Sequence, residues 1–420
     1  MHSSGKHPCF NAKAKGKYGR VHLPVAPKCN IQCNFCNRDF DCMNETRPGV
    51  TSKVLKPGQA AEYVQKLRVE APEISVVGIA GPGDPFANPD EVFATLAKVK
   101  EIAPDAIPCL SSNGLNVLPY VDDLVEAGVN HMTITINAVD PCIQKDIVSW
   151  IRYNKRAYFG REAAEILIEN QLEAVKQLAE RGMTVKVNSI VIPGVNEFHI
   201  PEIANKVAGL GAATMNLIPL LPVEGTAFQD LEEPSHKLLH KLRSKVEEHI
   251  EPMKHCARCR ADAAGLLGKD LDISQKLLKE VSESKPKADP NRKYVAATSQ
   301  EGIFVNLHLG HAEMFHIFEF DGENYHLHEM RKTPAAGNGA QRWINMAKLL
   351  HDCKGLLVGG MGGTPYRYLG GDSSLEIIEM TGLIEEGLDA IYKGKKIRTV
   401  TKKEMSGCGS NCSGTGTGCG

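Results

Sequence analysis

Thirteen cysteines are spread unevenly over 420 residues, and five of them, Cys9, Cys29, Cys33, Cys36 and Cys42, fall at the start of the chain. An odd number of thiols in a long chain argues against a disulfide framework. Clustered soft thiolates favour zinc or iron–sulfur instead. The segment APKCNIQCNFCNR spaces Cys29, Cys33 and Cys36 as C-x3-C-x2-C, directly after the first apolar run. Three thiolates on a short loop can hold three irons of a [4Fe–4S] cube and leave the fourth iron open. The alternative, a structural zinc, wants four closed ligands.

An open iron can be chelated by the amino and carboxylate groups of S-adenosylmethionine (SAM). An electron from the cluster then cleaves the sulfonium to a 5′-deoxyadenosyl radical. A second feature agrees: GIAGPGDP (78–85) ends the second apolar run, and glycines there let backbone approach a ligand closely. The triplet together with this turn resembles the radical-SAM superfamily, which carries a Gly-Gly-Glu-Pro-like turn at that place. Asp84 stands here for the superfamily's Glu. The resemblance implies SAM contacts from Gly81, Gly83 and Asp84, and from Ser111, Asn113, Asn188 and Ile192 in SSNG and NSIVIPGVNE at later strand ends.

The run HPCFNAKAKGKYGRVHLPVAPKCNIQCNFCNRDFDCMNETRPGVTS is more specific still. It resembles the NifB family of nitrogenase cofactor biosynthesis proteins, and the match extends through GPGDP, SSNG, TINAVDP and HCARCRADAAG. The resemblance implies an enzyme that joins two further [4Fe–4S] units, adds one sulfur and inserts a SAM-derived carbide, giving an [8Fe–9S–C] cofactor precursor. Two such substrate cubes need ligands outside the triplet, and Cys9, Cys42, Cys109, Cys256 and Cys259 are the candidates. A histidine ligand is implied as well; His22 and His7 are available, and spacing alone does not choose between them. Cys42 and Glu45 are the expected catalytic pair, Glu45 moving protons during carbon–hydrogen activation, with a surface salt bridge involving Arg47 as the bland alternative for that carboxylate. Iron–sulfur donor proteins, cofactor carrier or scaffold proteins and an electron donor such as ferredoxin are the implied partners. A cytoplasmic, oxygen-sensitive protein is implied too. Two other readings compete: a different radical-SAM enzyme with auxiliary clusters, and a non-catalytic iron–sulfur carrier, which would need no SAM site.

These residues must be positioned by elements. Strand candidates at 21–27, 74–80, 106–112, 131–137, 184–192 and 213–220 alternate with helical patterns near 59–70, 90–102, 119–128, 161–181 and 201–210. Strands alternating with helices imply a parallel sheet. Six units are too few for a complete eight-fold barrel of about 250 residues, so a partial (β/α)6 barrel is expected, of α/β class. In the helix at 161–181, Ile168, Leu172, Val175 and Ala179 recur at helical spacing and Gly182 ends it. Further helical patterns at about 234–250 and 272–281 flank HCARC. The expected domains are a radical-SAM core at 1–281, a polar linker at 282–293 and a small α/β NifX-like domain at 294–400. A Gly/Cys-rich tail at 401–420 is too polar to bury a core.

In the small domain, short strands are expected in YVAATS, GIFVNLHLG, EMFHIFEF, YHLHEM and GLLVGG, with helices near 339–352 and 373–393. Its histidines (His308, His311, His316, His326 and His328) read as an exposed strand face. The turn GGMGGTPYRYLGG lacks the lysine of a phosphate-binding loop. Cys142 and Cys353 read as buried hydrophobes in or entering helices, and Cys408, Cys412 and Cys419 sit in the tail. Lys and Arg number 49 against 50 Asp and Glu, so the chain has no basic footprint for nucleic acid and no polybasic membrane patch. No apolar run approaches the roughly 18 residues needed to span a bilayer. The basic, polar first 20 residues are not expected to act as a secretory signal.

Overall fold

The structure is a computed structural model; it describes residues 3–42, 51, 53–257, 259–283, 291–335, 339–370 and 375–397. The chain divides into two compact units, 1–283 and 284–420. In the first, six parallel strands run in sequence order: β1 (Gly19–His22), β2 (Ile74–Ile79), β3 (Ile107–Ser112), β4 (His131–Thr135), β5 (Thr184–Val191) and β6 (Thr214–Pro219). A short antiparallel hairpin, β7 (Ala264–Leu266) and β8 (Lys269–Asp270), extends the sheet beyond β1. The connections carry α1 (Pro57–Glu70), α2 (Pro89–Ile102), α3 (Val121–Glu126), α4 (Gly160–Glu180) and α5 (Ile200–Gly209); α6 (His236–Glu247) and α7 (Asp272–Glu283) follow the sheet. Strand–helix alternation with sequential pairing is the (β/α)6 arrangement that the hydrophobic patterning implies.

The strands alternate with a period of two, and the two faces differ in kind. Val21, Val77, Leu110, Met132, Ile134, Val185, Val187, Met215 and Leu217 point into one apolar layer shared with the helices. The helices are amphipathic accordingly: α4 buries Ala164, Leu167, Ile168, Gln171, Ala174, Val175 and Leu178 at three- and four-residue spacing. Gly182, at φ +77°, ends it. The alternate strand positions are polar: Arg20, Ser111, His131, Thr133, Thr135, Lys186, Asn188 and Asn216 are all buried. A barrel interior is ordinarily filled by branched apolar side chains; this one is not.

Several elements differ from the sequence patterning. The first strand ends at His22, because Pro24 and Pro27 cannot donate to a ladder. Ile31–Cys33, Val148–Tyr153 and Arg156–Phe159 form a separate three-stranded antiparallel sheet. Its hairpin turns at Asn154 and Lys155, both at positive φ, as a two-residue turn requires. Cys142 is exposed rather than buried, since it sits in the first turn after Asp140, whose side chain accepts from its backbone N–H. α7 continues to Glu283, so the first two residues of the expected linker are helical; 284–290 lie outside the described residues.

The second unit has a five-stranded sheet of β9 (Tyr294–Ala297), β10 (Met314–Phe320), β11 (Tyr325–Lys332), β12 (Cys353–Val358) and β13 (Glu376–Glu379), with α8 (Gly339–Leu349), α9 (Gly363–Leu369) and α10 (Ile384–Lys393). Of the helices expected near 373–393 one forms, because Ile377 and Ile378 pair in parallel with Leu356 and Leu357 before it begins. Part of the expected Gly-rich turn is α9. Cys353 is buried as expected, but on a strand. His326 and His328 are exposed on β11, whereas His316 is buried. The tail at 401–420 lies outside the described residues. Among those described, no helix is long and apolar enough to cross a membrane.

Candidate active site

Two cavities lie along the polar face of the parallel strands, the first at their C-terminal ends and the second deeper, reaching Arg20, Val76 and Lys186. The first is lined by Cys29, Cys33, Cys36 and Cys42, with Arg38, Gly83, Asp84, Ser111, Asn113 and Thr135 among its walls. The cysteine loop is laced from several sides. Ile31–Cys33 pairs with Val148–Ile151, and the Gln32 side chain donates to the carbonyls of Cys33 (3.2 Å) and Cys36 (2.7 Å). Asn34 N–H donates to Ile147 O.

The GPGDP turn is strapped to the approach of this loop. Gly83 N–H donates to Ala26 O at 2.7 Å, Asp84 N–H to Lys28 O at 2.8 Å, and Cys42 N–H to Pro82 O at 3.1 Å. A Cβ on Gly83 would stand 2.2 Å from Lys28 O, so only glycine lets the two backbones lie together. The Asp84 carboxylate is spent inside the protein: it accepts from Phe86 N–H (2.9 Å), Ser112 Oγ–H (3.0 Å) and Asn113 N–H (2.7 Å). It thereby bridges the GPGDP and SSNG turns. Asn113 in turn donates from Nδ2 to Asn30 Oδ1 at 2.7 Å, beside Cys29. From behind, Gln171 of α4 donates to Asn113 O and Thr135 O, both at 2.8 Å.

The second cavity is lined by Cys9, Cys109, Cys256 and Cys259, His7 and His22, and by Arg20, Lys186, Asn188 and Asn216. Ala80 and Ser111 belong to the walls of both cavities, which are therefore neighbours across one strand end. The N-terminal arm and the HCARC loop meet here, His255 Nε2 hydrogen-bonding Pro8 O at 3.1 Å. No Asp or Glu contributes to the wall among the described residues.

The two histidines are presented oppositely. His22 Nδ1 lies 2.9 Å from Arg260 O, which requires a proton on Nδ1 and leaves the Nε2 lone pair unused. His7 Nδ1 accepts from Cys9 N–H at 3.2 Å, so its Nε2 carries the proton. Burial, helped by the Arg20 charge, pushes His22 down to about 4, so the ring is neutral at physiological pH. A Cβ on Gly78 would sit 2.9 Å from the His22 ring, so that glycine makes its room. Burial pushes the Cys9 thiol up to about 12 and raises Cys29, Cys36 and Cys259. Thiols so placed keep their protons until a cation displaces them.

Most of the residues expected from the sequence thus fall into one cavity or the other. Gly81 and Ile192 line neither; Ile192 is buried in an apolar cluster and donates its N–H to Asn196 Oδ1. Glu45 and Arg47 lie outside the described residues. Sequence reasoning passed over Arg20, Lys186, Thr135 and Asn216. Their signal was available as polar residues at every second position of strands that otherwise read as buried: Arg20 and His22, Cys109 and Ser111, Thr133 and Thr135, Lys186 and Asn188.

Among the described residues, no three His, Cys, Asp or Glu side chains are grouped tightly enough to hold a single metal ion. An iron–sulfur cube takes one cysteine per iron, so its ligands stand apart around a space. Four buried polar atoms on these walls have no hydrogen-bond partner among the described residues: Ser111 Oγ and Thr135 Oγ1 in the first cavity, His7 Nε2 and Asn216 Oδ1 in the second. Such atoms are costly to bury unmatched, and they fit walls that face a polar occupant.

The radical SAM superfamily model matches residues 23–207, and the dinitrogenase iron-molybdenum cofactor model matches 291–394. The FeMo cofactor biosynthesis protein NifB of Chlorobaculum tepidum is 45% identical over 98% of this chain and 98% of its own length. The chain belongs to the NifB family. Its relatives of that name from Bradyrhizobium diazoefficiens and Klebsiella pneumoniae are each 38% identical, over 92% and 86% of this chain and 83% and 85% of their own lengths. Membership in the NifB family makes the chain a radical-SAM enzyme of FeMo cofactor biosynthesis, with a NifX-like domain at its C-terminal end. Among solved structures, SuiB of Streptococcus suis bound to S-adenosylmethionine matches 56% of this chain and 50% of its own, at 12% identity and a TM-score of 0.41.

Proposed function

We propose that this enzyme fuses two [4Fe–4S] substrate clusters, with one added sulfur and a carbide derived from a SAM methyl group, into an [8Fe–9S–C] precursor of the nitrogenase cofactor. The observation that carries the reading is the pair of adjoining cavities, one with the three-cysteine loop and one with four further cysteines and two histidines, divided by Ala80 and Ser111. Cys29, Cys33 and Cys36 would hold a [4Fe–4S] cluster there, which together with SAM would supply the deoxyadenosyl radical.

The chain's own residues have distinct tasks in this scheme. Gly83 and the carbonyl-strapped turn around it form the floor against which SAM lies. Asp84 holds that turn to Asn113. Ser111 stands where the contents of the two cavities meet. Cys9, Cys109, Cys256 and Cys259 are the substrate-cluster ligands of the second cavity, and Cys42 is the outlying thiol of the first. His22 is the better nitrogen ligand of the two, because its proton is engaged by a backbone carbonyl and its lone pair is unused. Cys42 with Glu45 remains the pair assigned to methyl activation. Iron–sulfur donors, a reductant such as ferredoxin and a cofactor carrier complete the scheme as partners. Because a primary carbon radical must be kept from oxygen and water, the protein works in the anaerobic cytoplasm.

Anaerobic incubation of reconstituted protein with dithionite and methyl-labelled SAM tests this. The expected products are 5′-deoxyadenosine and S-adenosylhomocysteine, with label retained on the protein-bound cluster. Formation of 5′-deoxyadenosine without retained label would leave a radical-SAM enzyme of some other product, and absence of both nucleosides would overturn the proposal altogether.

A further inference from the structure

Arg20 is the largest fully buried side chain among the described residues, only 1% exposed, and it lies on the first strand with its head at the wall of the second cavity. All of its guanidinium nitrogens are engaged. Nε and Nη2 donate to the same atom, Cys259 Sγ, at 3.3 and 3.2 Å. Nη1 donates to Gly265 O at 2.7 Å and Leu266 O at 3.1 Å, and Nη2 also donates to Asp270 Oδ1 at 2.6 Å. The strand, the HCARC loop and the β7–β8 hairpin are therefore joined through one planar fork.

Burying an arginine for a salt bridge alone is a poor bargain for stability. Asp270 is itself partly exposed, with 39% of its side chain accessible, so the carboxylate does not require the cation to be so deep. What the depth accomplishes is the double contact to sulfur. Two N–H donors fixed in a rigid plane converge on one thiol, which lysine cannot reproduce.

We propose that Arg20 is a positioning residue for Cys259: its two N–H···S hydrogen bonds fix that sulfur at the cavity wall and set the reduction potential and retention of the iron–sulfur unit bound there. This rests on the reading of Cys259 as a substrate-cluster ligand. Hydrogen bonds to a ligating sulfur withdraw electron density from it and stabilise the reduced cluster, so they raise its potential. They also hold the ligand in place before metal arrives.

The test uses the full chain with Cys29, Cys33 and Cys36 replaced by alanine, so that only units outside the radical-SAM loop are measured. Iron per chain and the midpoint potential by EPR-monitored titration are compared for Arg20→Gln, Arg20→Lys, Asp270→Asn and Cys259→Ala. Arg20→Gln is expected to shift the potential negative and reduce retained iron. Arg20→Lys, which keeps the charge but loses the fork, is expected to shift it in the same direction by less. Asp270→Asn keeps both contacts to sulfur and is expected to leave the potential near that of the parent. A merely structural salt bridge predicts instead that Asp270→Asn is affected at least as strongly as Arg20→Lys, and that result would overturn the proposal. If Arg20→Gln does not fold, the comparison of Arg20→Lys with Asp270→Asn decides alone. Should Cys259→Ala retain all its iron, the ligand reading fails; should it lose iron while both Arg20 variants match the parent, only the role of Arg20 fails.

Discussion

Asp84 offers the sharpest test of how the site is built. Its side chain is 3% exposed and both carboxylate oxygens accept, Oδ1 from Phe86 N–H and Oδ2 from Ser112 Oγ–H and Asn113 N–H. Asparagine has the same shape but only one acceptor oxygen. In its better orientation it keeps the Ser112 and Asn113 contacts and turns an NH2 group against Phe86 N–H. One charge-assisted hydrogen bond of about 1.5–3 kcal/mol is lost, and the stranded donor costs about 1–3 kcal/mol more. The sum is about 2.5–6 kcal/mol. For a unit of this size, each kcal/mol moves the melting temperature by about 2–4 °C, so Asp84→Asn is expected to melt about 10 °C below the parent. Ser112→Ala removes one donor and should cost about 1 kcal/mol. Asp84→Glu restores the residue usual in the superfamily, yet it must place an extra methylene in a closed space and is expected to lose about 1–3 kcal/mol. Differential scanning calorimetry of the anaerobic protein reads all three. If Asp84→Asn melts within about 1 °C of the parent, the carboxylate does not bridge the two turns and the account of this wall is wrong.

Further expectations follow from the same geometry. His22→Gln should lower the iron held outside the radical-SAM loop, whereas His7→Gln should retain most of it, because only His22 presents a free lone pair; iron analysis in the triple-alanine background distinguishes them. Gly83→Ala forces a Cβ within 2.2 Å of Lys28 O, so the loop bearing Cys29 must shift and the iron of one cluster should be lost; a full complement would refute the close approach. In the second unit, Arg331 grips both oxygens of Asp352 at 2.6 and 2.7 Å and holds its carboxyl below the ordinary range. That depressed pKa means the contribution is fully present above the unfolded value near 4 and is lost as pH falls through the folded value. Asp352→Asn should therefore destabilise by about 1–3 kcal/mol at pH 7, with the gap to the parent closing in acid; a gap that persists at low pH would contradict it.

The order of strands and helices was legible because each parallel strand is an apolar run of fixed length between amphipathic helices. Side chains facing the helices announced themselves, as Met132, Ile134, Val185 and Val187 do. What escaped notice was the opposite face, since His131, Thr133, Lys186 and Asn188 interrupt those runs singly and look like tolerated exceptions. The triplet loop was legible from spacing alone. The choice between His7 and His22 was not, because it depends on which backbone group each ring meets, an N–H for His7 and a carbonyl for His22, and Arg260 is far from His22 in sequence. Cys142 misled because an N-terminal helical turn exposes its first residues. The strand at Glu376–Glu379 was hidden by an apolar pair that suits a helix equally well until its parallel neighbour at Gly355–Val358 is known.

The polar lumen has a consequence for how the protein comes to maturity. A fold that lines its centre with thiols, imidazoles and two cations forgoes the hydrocarbon filling that ordinarily holds such a sheet closed. The inorganic cargo then takes the part of that filling, since whatever binds the folded form alone also stabilises it. The loaded protein is therefore expected to melt at a higher temperature than the empty one.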